Sequence, residues 1–330
     1  AAVVILAVYA TYFKGTVVGG ARGTLLWGIA VGIAMFVVAI ISPVLGAIAD
    51  YAGAKKRLLL FFTALSVVFT ALLFFVQQGS IFTGMLFFIL AEIGYRSSQV
   101  FYNSLLPDIA HQHEIGKVSG NGWAIGSAGG IVCLLIVLPL ISTHTGTLFV
   151  RLSLVITAVF YAAASIPIFS WLKERNEPKK LPEGETYLSI AFKSLGETFR
   201  SVRTFKEFVK FVISFLVFND GIMMALNFAS ILGAVLFGMQ QTQLIVFMII
   251  VQVTSVLGAW LFGIMAERIS CKDALIASLI IMVGTVTWMF FNNSLFNFYI
   301  IGGLAGFALT GVQSVSRAMV GTFAPEKQSA

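Results

Sequence analysis

From Leu25 to Ala49 the chain runs without a single charged residue. A helix needs about 20 such residues, at 1.5 Å each, to cross the hydrocarbon core of a bilayer. Apolar runs of similar length, with at most two charged residues each, recur at Leu58–Val76, Ile81 to about Leu106, Val118–Ile141, Leu148–Leu172, Phe208–Phe237, Gln240–Ala266, Ala274–Phe291 and Phe296–Val315. Ala1–Phe13 reads as the end of another. The Phe208 run is interrupted, on this reading, by Asn219-Asp220-Gly221. In lipid every backbone polar group must be satisfied internally, so apolar runs of this length predict helices. The expectation is an all-α polytopic membrane protein with ten spans, the first of them partial.

Composition supports this and removes the main alternative. Hydrophobic residues make up 58% of the chain and charged ones 11%, with a mean hydropathy of +0.96. A soluble domain carries about 25% charged residues, so this chain has too little polar surface to cover itself in water. Its net charge of +7 does not point to nucleic acid, because the cations lie in the turns between apolar runs. Cys133 sits in an apolar run and Cys271 in a charged turn, which implies no disulfide framework. No cleavable signal peptide is recognisable.

The distribution of cations gives the topology. Of the 21 Lys and Arg, only Lys14, Arg22 and Arg151 fall in or at the edge of turns that follow odd-numbered spans, and Arg96 falls in the middle of a span. All the others lie in or at the edge of turns after even-numbered spans. Positive charge marks the cytoplasmic side, so even-numbered spans end in the cytosol. The longest of these turns, residues 173–207, opens with the linker-like KERNEPKKLPEGE. Leu188, Phe192, Leu195, Phe199 and Val202 then recur at helical spacing. They predict an amphipathic helix on the inner membrane surface, or a solvated linker helix.

An internal duplication orders the rest. Gly46, Asp50, Lys55, Leu58 and Gly94 are each followed, at a constant offset of 217, by Gly263, Glu267, Lys272, Leu275 and Gly311. With six spans per half, the repeats share one orientation and are parallel. The predicted domains are an N-terminal bundle (1–172), a cytosolic linker (173–207) and a C-terminal bundle (208–330). On this reading the first helix is partial and the last two helices of the second half are missing.

Several of these residues carry a family resemblance. Gly46-x-x-Ala49-Asp50-x-x-Gly53-x-Lys55 is similar to the loop signature of the major facilitator superfamily, and Arg96-Ser97-Ser98-Gln99 resembles its Arg-x-x-Gln signature, with Val100 where a Gly is usual. Phe101-Tyr102-Asn103-Ser104-Leu105-Leu106-Pro107-Asp108, Val118-Ser119-Gly120-x-Gly122-Trp123-x-x-Gly126 and Phe218-Asn219-Asp220-Gly221 resemble the vacuole-effluxer branch, the autophagy-related permeases and their bacterial relatives. The resemblance implies a major facilitator fold and transport by alternating access. It also implies a link to amino-acid efflux, as in vacuolar members of that branch. Asp50 and Glu267, with Gly46, Gly53, Lys55, Gly263, Arg268 and Lys272 around them, are implied to form a cytosolic gate. Plain helix capping is the competing reading.

Ionisable groups inside spans are costly and default to functional hypotheses. Glu92 and Arg96 are four apart on one helix face and are expected to pair. The pair either binds a zwitterion or relays a proton, or it only locks the fourth helix to a neighbour. Tyr95, Gln99, Tyr102 and Asn103 extend this polar stripe. Asp220 has no cation within a helical turn, and Asn219 and Asn227 lie near it in sequence. It reads as a buried carboxylate able to load a proton, with Arg96 as a possible partner, or as a cap at a kink. Gly122, Gly126 and Gly130, like Gly302 and Gly306, form small-residue stripes for close helix packing. His111, His113 and Glu114 share one short loop without a Cys, so a solvated loop is favoured over a metal site.

No phosphate-binding loop, Gly-x-Ser-x-Gly or His-Glu-x-x-His motif is present, so neither an ATPase nor a membrane enzyme is expected, and no cofactor. Asn292-Asn293-Ser294 is a glycosylation sequon that matters only in a lumenal setting. The expectation is a secondary transporter of a small polar solute, proton-coupled and monomeric. Its membrane is expected to be the bacterial cytoplasmic membrane, or the vacuolar one in a eukaryote. A drug or metabolite exporter, and a non-transporting receptor or scaffold, are the alternatives.

Overall fold

The structure is a computed structural model that describes residues 2–51, 55–105, 115–144, 146–172, 186, 189–190, 192–193, 196 and 206–323. Among the described residues there are ten helices longer than a few turns, and no strand. They are α1 (Ala2–Val18), α2 (Gly20–Tyr51), α3 (Lys55–Leu72), α4 (Ile81–Ser104), α5 (Ile115–Thr143), α6 (Thr147–Trp171), α7 (Lys206–Leu236), α8 (Gln241–Arg268), α9 (Cys271–Phe291) and α10 (Leu295–Phe323). Eight, all but α1 and α4, are long and apolar enough to cross a membrane. α4 has 24 residues, about 36 Å at 1.5 Å per residue; its length suffices, and a polar face lowers its hydropathy. The protein is an all-α, multi-pass integral membrane protein.

Two boundaries differ from the sequence reading. The expected turn at 14–22 shrinks to Gly19, because α1 stays helical to Val18 and α2 begins at Gly20. α7 also runs through Asn219-Asp220-Gly221 without a break. A helical Gly costs only about 1 kcal/mol, whereas a broken backbone ladder in lipid leaves groups unsatisfied at several kcal/mol each. Continuity wins. Outer turns are tight, and Gly79 (φ 84°) and Gly238 (φ 62°) take the left-handed conformation that closes two of them.

The helices form two compact units that do not coincide with the sequence halves. One unit holds Tyr12–Ile115 and Gly146–Phe205; the other holds Ala2–Thr11, Gly116–Thr145 and Lys206–Ala330. α5 and the start of α1 therefore group with the second half of the sequence. The cause is visible at Gly130, where an added Cβ would stand 3.1 Å from Gln252 Nε2 of α8 and 3.7 Å from Val3 of α1. Gly126, expected in the same stripe, meets open space instead.

In the first unit α4 packs on both α2 and α3, and α3 packs on α6. Gly94 is a close approach between α3 and α4: a Cβ there would lie 2.7 Å from the Ser66 amide and 2.9 Å from Phe62 O. Trp27, fully buried, lies 4.4 Å from the Phe88 ring and 6.3 Å from Phe13, joining α2 to α4 and α1. Helix ends are closed by side chains. Lys55 Nζ donates to Ser104 O of α4 (2.9 Å) and Lys56 Nζ to Leu172 O after α6 (2.6 Å). Arg151 Nη1 donates to Phe74 O (3.1 Å) beyond the end of α3. Such bonds supply the last carbonyls of a helix with the donors they lack.

The second unit repeats the same packing, with α10 on both α8 and α9. Bilayer lipid removes any hydrophobic drive for this contact, so close backbone approach must supply it. Gly302 faces the Phe247 ring, Gly306 the Val251 carbonyl, Gly311 the Phe262 ring, and Gly258 the Phe307 carbonyl. Ser255 Oγ donates across the seam to Gly306 O (2.9 Å). The α4-on-α2-and-α3 arrangement and its α10 counterpart carry the duplication seen at offset 217 into three dimensions.

Candidate functional site

On α4 the residues Glu92, Arg96, Gln99 and Asn103 follow at intervals of four, three and four, which places them on one face of the helix. Arg96 Nε donates to Glu92 Oε1 at 2.7 Å. The pairing expected from their spacing is thus present. Its two ends sit in different surroundings: the Glu92 side chain is 9% exposed and that of Arg96 31%. A carboxylate this buried requires its partner, while part of the guanidinium remains open. Gln99 is half-buried, and Tyr102 and Asn103 are exposed.

A second row runs beside the first. The Tyr95 ring meets Tyr161 of α6 edge-on at 6.4 Å, and Arg96 lies 5.8 Å from the Tyr95 ring centre. Ser98 Oγ donates to Tyr95 O (2.7 Å) and stands 3.5 Å from Tyr161 Oη. Tyr161 therefore belongs with this cluster. Sequence reading passed over it as one more aromatic in an apolar run.

In the other unit Asn219 of α7 accepts a hydrogen bond from Gln313 Nε2 of α10 at 3.0 Å. Gln313 was not singled out by sequence, yet a signal existed, since it stands at offset 217 from Arg96. Each half thus places a polar side chain at this level of its fourth helix. Asp220 departs from expectation: it is exposed on α7, not buried. As the next residue after Asn219 it points about 100° away around the helix, off the face that meets α10. Asn227 lies further along the same helix, and its side chain is outside the described residues.

The predicted gate is only partly assembled. Lys55 is 6% exposed and tied to the end of α4. Gly46 and Gly263 are not close approaches, because a Cβ at either would meet nothing within 4 Å. Glu267, Arg268 and Lys272 are exposed at the α8–α9 turn. There Ser270 caps α9, accepting from the Asp273 amide (3.0 Å) and donating to Asp273 Oδ2 (2.6 Å). Asp50 ends within α2 with its side chain outside the described residues, and Gly53, His111, His113 and Glu114 lie outside them altogether. The same holds for Leu188, Leu195, Phe199 and Val202 of the expected amphipathic helix.

Comparison with known proteins matches these features to a family. The model of the family described as "Vacuole effluxer Atg22 like" matches residues 26–330. YxiO of Bacillus subtilis, described as an MFS-type transporter, is 27% identical over 99% of this chain and 78% of its own length. Autophagy-related protein 22 of Yarrowia lipolytica is 24% identical over 72% of this chain and 45% of its own. Autophagy-related protein 22-1 of Aspergillus niger is 30% identical over a shorter stretch, 39% of this chain and 22% of that protein. The chain thus spans less than half of these fungal relatives. Taken with the paired packing of the ten helices among the described residues, the match over residues 26–330 shows that the chain belongs to the vacuole effluxer Atg22-like family of major facilitator transporters.

Proposed function

We propose that this transporter moves a small polar solute, with amino acids as the first class to test, by alternating access driven by a proton gradient. The observation that carries the reading is the Glu92–Arg96 pair, whose buried carboxylate and part-open guanidinium lie within a helix of membrane-spanning length. Charge at that depth is expensive to hold. A pair with one end open offers a carboxylate-binding group, and its partner balances the charge when the solute leaves. A zwitterion suits such a site, since its carboxylate competes for Arg96 as its ammonium engages an acceptor. Gln99 and Asn103, on the same face, supply neutral donors and acceptors beside the pair.

Asp220 is the proposed proton carrier. It is an exposed carboxylate in α7, next to the Asn219–Gln313 bridge. The bacterial cytoplasmic membrane is the proposed location, in keeping with coverage of nearly the whole chain by a Bacillus relative; in a eukaryote it would be the vacuolar membrane. The functional unit is proposed to be the monomer.

The test is uptake of labelled leucine and tyrosine into liposomes carrying the protein, with and without an imposed pH gradient. Uptake is expected to rise with the gradient, and Asp220→Asn is expected to lose that rise. Gradient-independent uptake would remove the proton from the reading. No uptake of either amino acid would remove this solute class and direct the same assay to drugs and other metabolites.

A further inference from the structure

α1 is wound in an unusual way. Two π-helical stretches, Ile5–Tyr9 and Phe13–Val18, flank a single α-helical segment, Ala10–Tyr12. The Ala10 amide reaches back five residues to Ile5 O, and the Gly19 amide five residues to Lys14 O (3.0 Å). Such turns are rare, come mostly one at a time, and gather at functional positions. The division between the two compact units falls at the same place, since residues up to Thr11 group with one and Tyr12 onward with the other.

Each part of α1 has its own tether. Gln241, the first residue of α8, donates from Nε2 to Ala7 O (2.6 Å) and accepts at Oε1 from Thr11 Oγ1 (2.7 Å). Both halves of one amide are spent on a single turn of α1. Beyond the division, Tyr12 Oη donates to Val76 O (2.9 Å). Ala7, Val8, Tyr9 and Ala10, at and beside the Gln241 contact, are completely buried. The cation distribution puts the start of α8 on the outer side.

We propose that Gln241 is a positioning residue of the transport cycle. Its amide holds the π-wound turn of α1 against the outer end of α8, and release of that clamp frees α1 to move when the outer side opens. A neutral amide fits this role. Its donor and acceptor are both satisfied when clamped, and water can satisfy both when released, with no charge to strand in the bilayer. The proposal rests on the chain being a membrane transporter and not on which solute it carries.

The experiment uses the full-length protein with Cys133 and Cys271 replaced by Ala and a reporter at Ala10→Cys. The probe is a membrane-impermeant methanethiosulfonate cation, applied to the outer face in one set of vesicles and to the inner face in another. Gln241→Leu removes two hydrogen bonds and is expected to speed outer-face modification about tenfold. Thr11→Val removes one and is expected to speed it about threefold, and Thr11→Ser, which keeps the hydroxyl, is expected to match the wild type. Unchanged outer-face rates in Gln241→Leu and Thr11→Val would overturn the proposal. Equal acceleration from both faces would also overturn it, since that is general loosening. Should Gln241→Leu fail to fold, the contrast between Thr11→Val and Thr11→Ser decides alone. Absence of leucine or tyrosine uptake would count against the proposed solute and leave this readout intact.

Discussion

Replacing Arg96 with Leu removes the partner of a carboxylate whose side chain is 9% exposed. Breaking a fully buried ion pair from one side costs about 3–5 kcal/mol, and an exposed pair contributes about 0–1 kcal/mol. This pair lies between those limits, because Arg96 itself is 31% exposed. The expected cost of Arg96→Leu is therefore about 2–3 kcal/mol. The double variant Glu92→Leu/Arg96→Leu removes the stranded charge as well and should recover most of that loss, since an apolar pair of similar volume is often as stable. Equilibrium unfolding in mixed detergent micelles, followed by far-UV circular dichroism, gives the four corners of a double-mutant cycle. A coupling of about 2 kcal/mol is expected. If Arg96→Leu stays within about 0.5 kcal/mol of the wild type, the carboxylate finds water or another partner, and the reasoning from burial is wrong. The same double variant separates structure from function. A stable protein that no longer transports places the pair in the solute path, whereas a stable and fully active one reduces it to a lock between helices.

Three further outcomes follow from the packing and the helix ends. Gly306→Leu should cost about 1–3 kcal/mol or more by overpacking, because a Cβ there runs into the Val251 carbonyl, whereas Gly284→Ala should be neutral or gain about 0.4–1 kcal/mol, since a Cβ there meets nothing within 4 Å; thermal unfolding in detergent compares them. Lys55→Met should lose about 1.5–3 kcal/mol, the range for a hydrogen bond from a charged donor, while its repeat counterpart Lys272→Met, exposed at a turn, should change stability by less than about 0.5 kcal/mol. Gln313→Leu breaks the bridge to Asn219 and should cost about 1 kcal/mol; if Gln313 serves the solute path, the Michaelis constant for uptake should rise by more than that loss of stability explains.

The spans were legible because each is a physical necessity written in length and hydropathy. The run Leu148–Leu172 became a helix at Thr147–Trp171, and Ala274–Phe291 one at Cys271–Phe291. The Glu92–Arg96 bond was legible too, as a spacing of four inside an apolar run. Asp220 shows the limit of that logic. Sequence marks a charge in a span but not which way the helix turns it, and rotation is set by tertiary packing that places Asn219 toward Gln313 and Asp220 away. The break expected at Asn219-Asp220-Gly221 failed for a related reason: those residues weaken a helix in water, but lipid penalises the open backbone more than the helix penalises them.

Single amides were the hardest features to read. Gln241, Gln252 and Gln313 each look like an incidental polar residue at the edge or middle of an apolar run, and hydropathy treats the three alike. In the fold they do different work: Gln252 packs on Gly130, Gln313 bonds Asn219, and Gln241 holds α1. Only Gln313 had a signal, since the offset that pairs Gly94 with Gly311 also pairs Arg96 with Gln313. That correspondence has a physical meaning. Two copies of one packing scheme put a polar group at the same level of the fourth helix in each half, but one copy keeps a charge and satisfies it within α4, while the other keeps a neutral amide and spends it on α7. A duplicated scaffold in lipid cannot hold two unpaired charges at that depth cheaply. Divergence at this level is therefore constrained to pairs, either within a helix or between helices, and the two halves have taken one solution each.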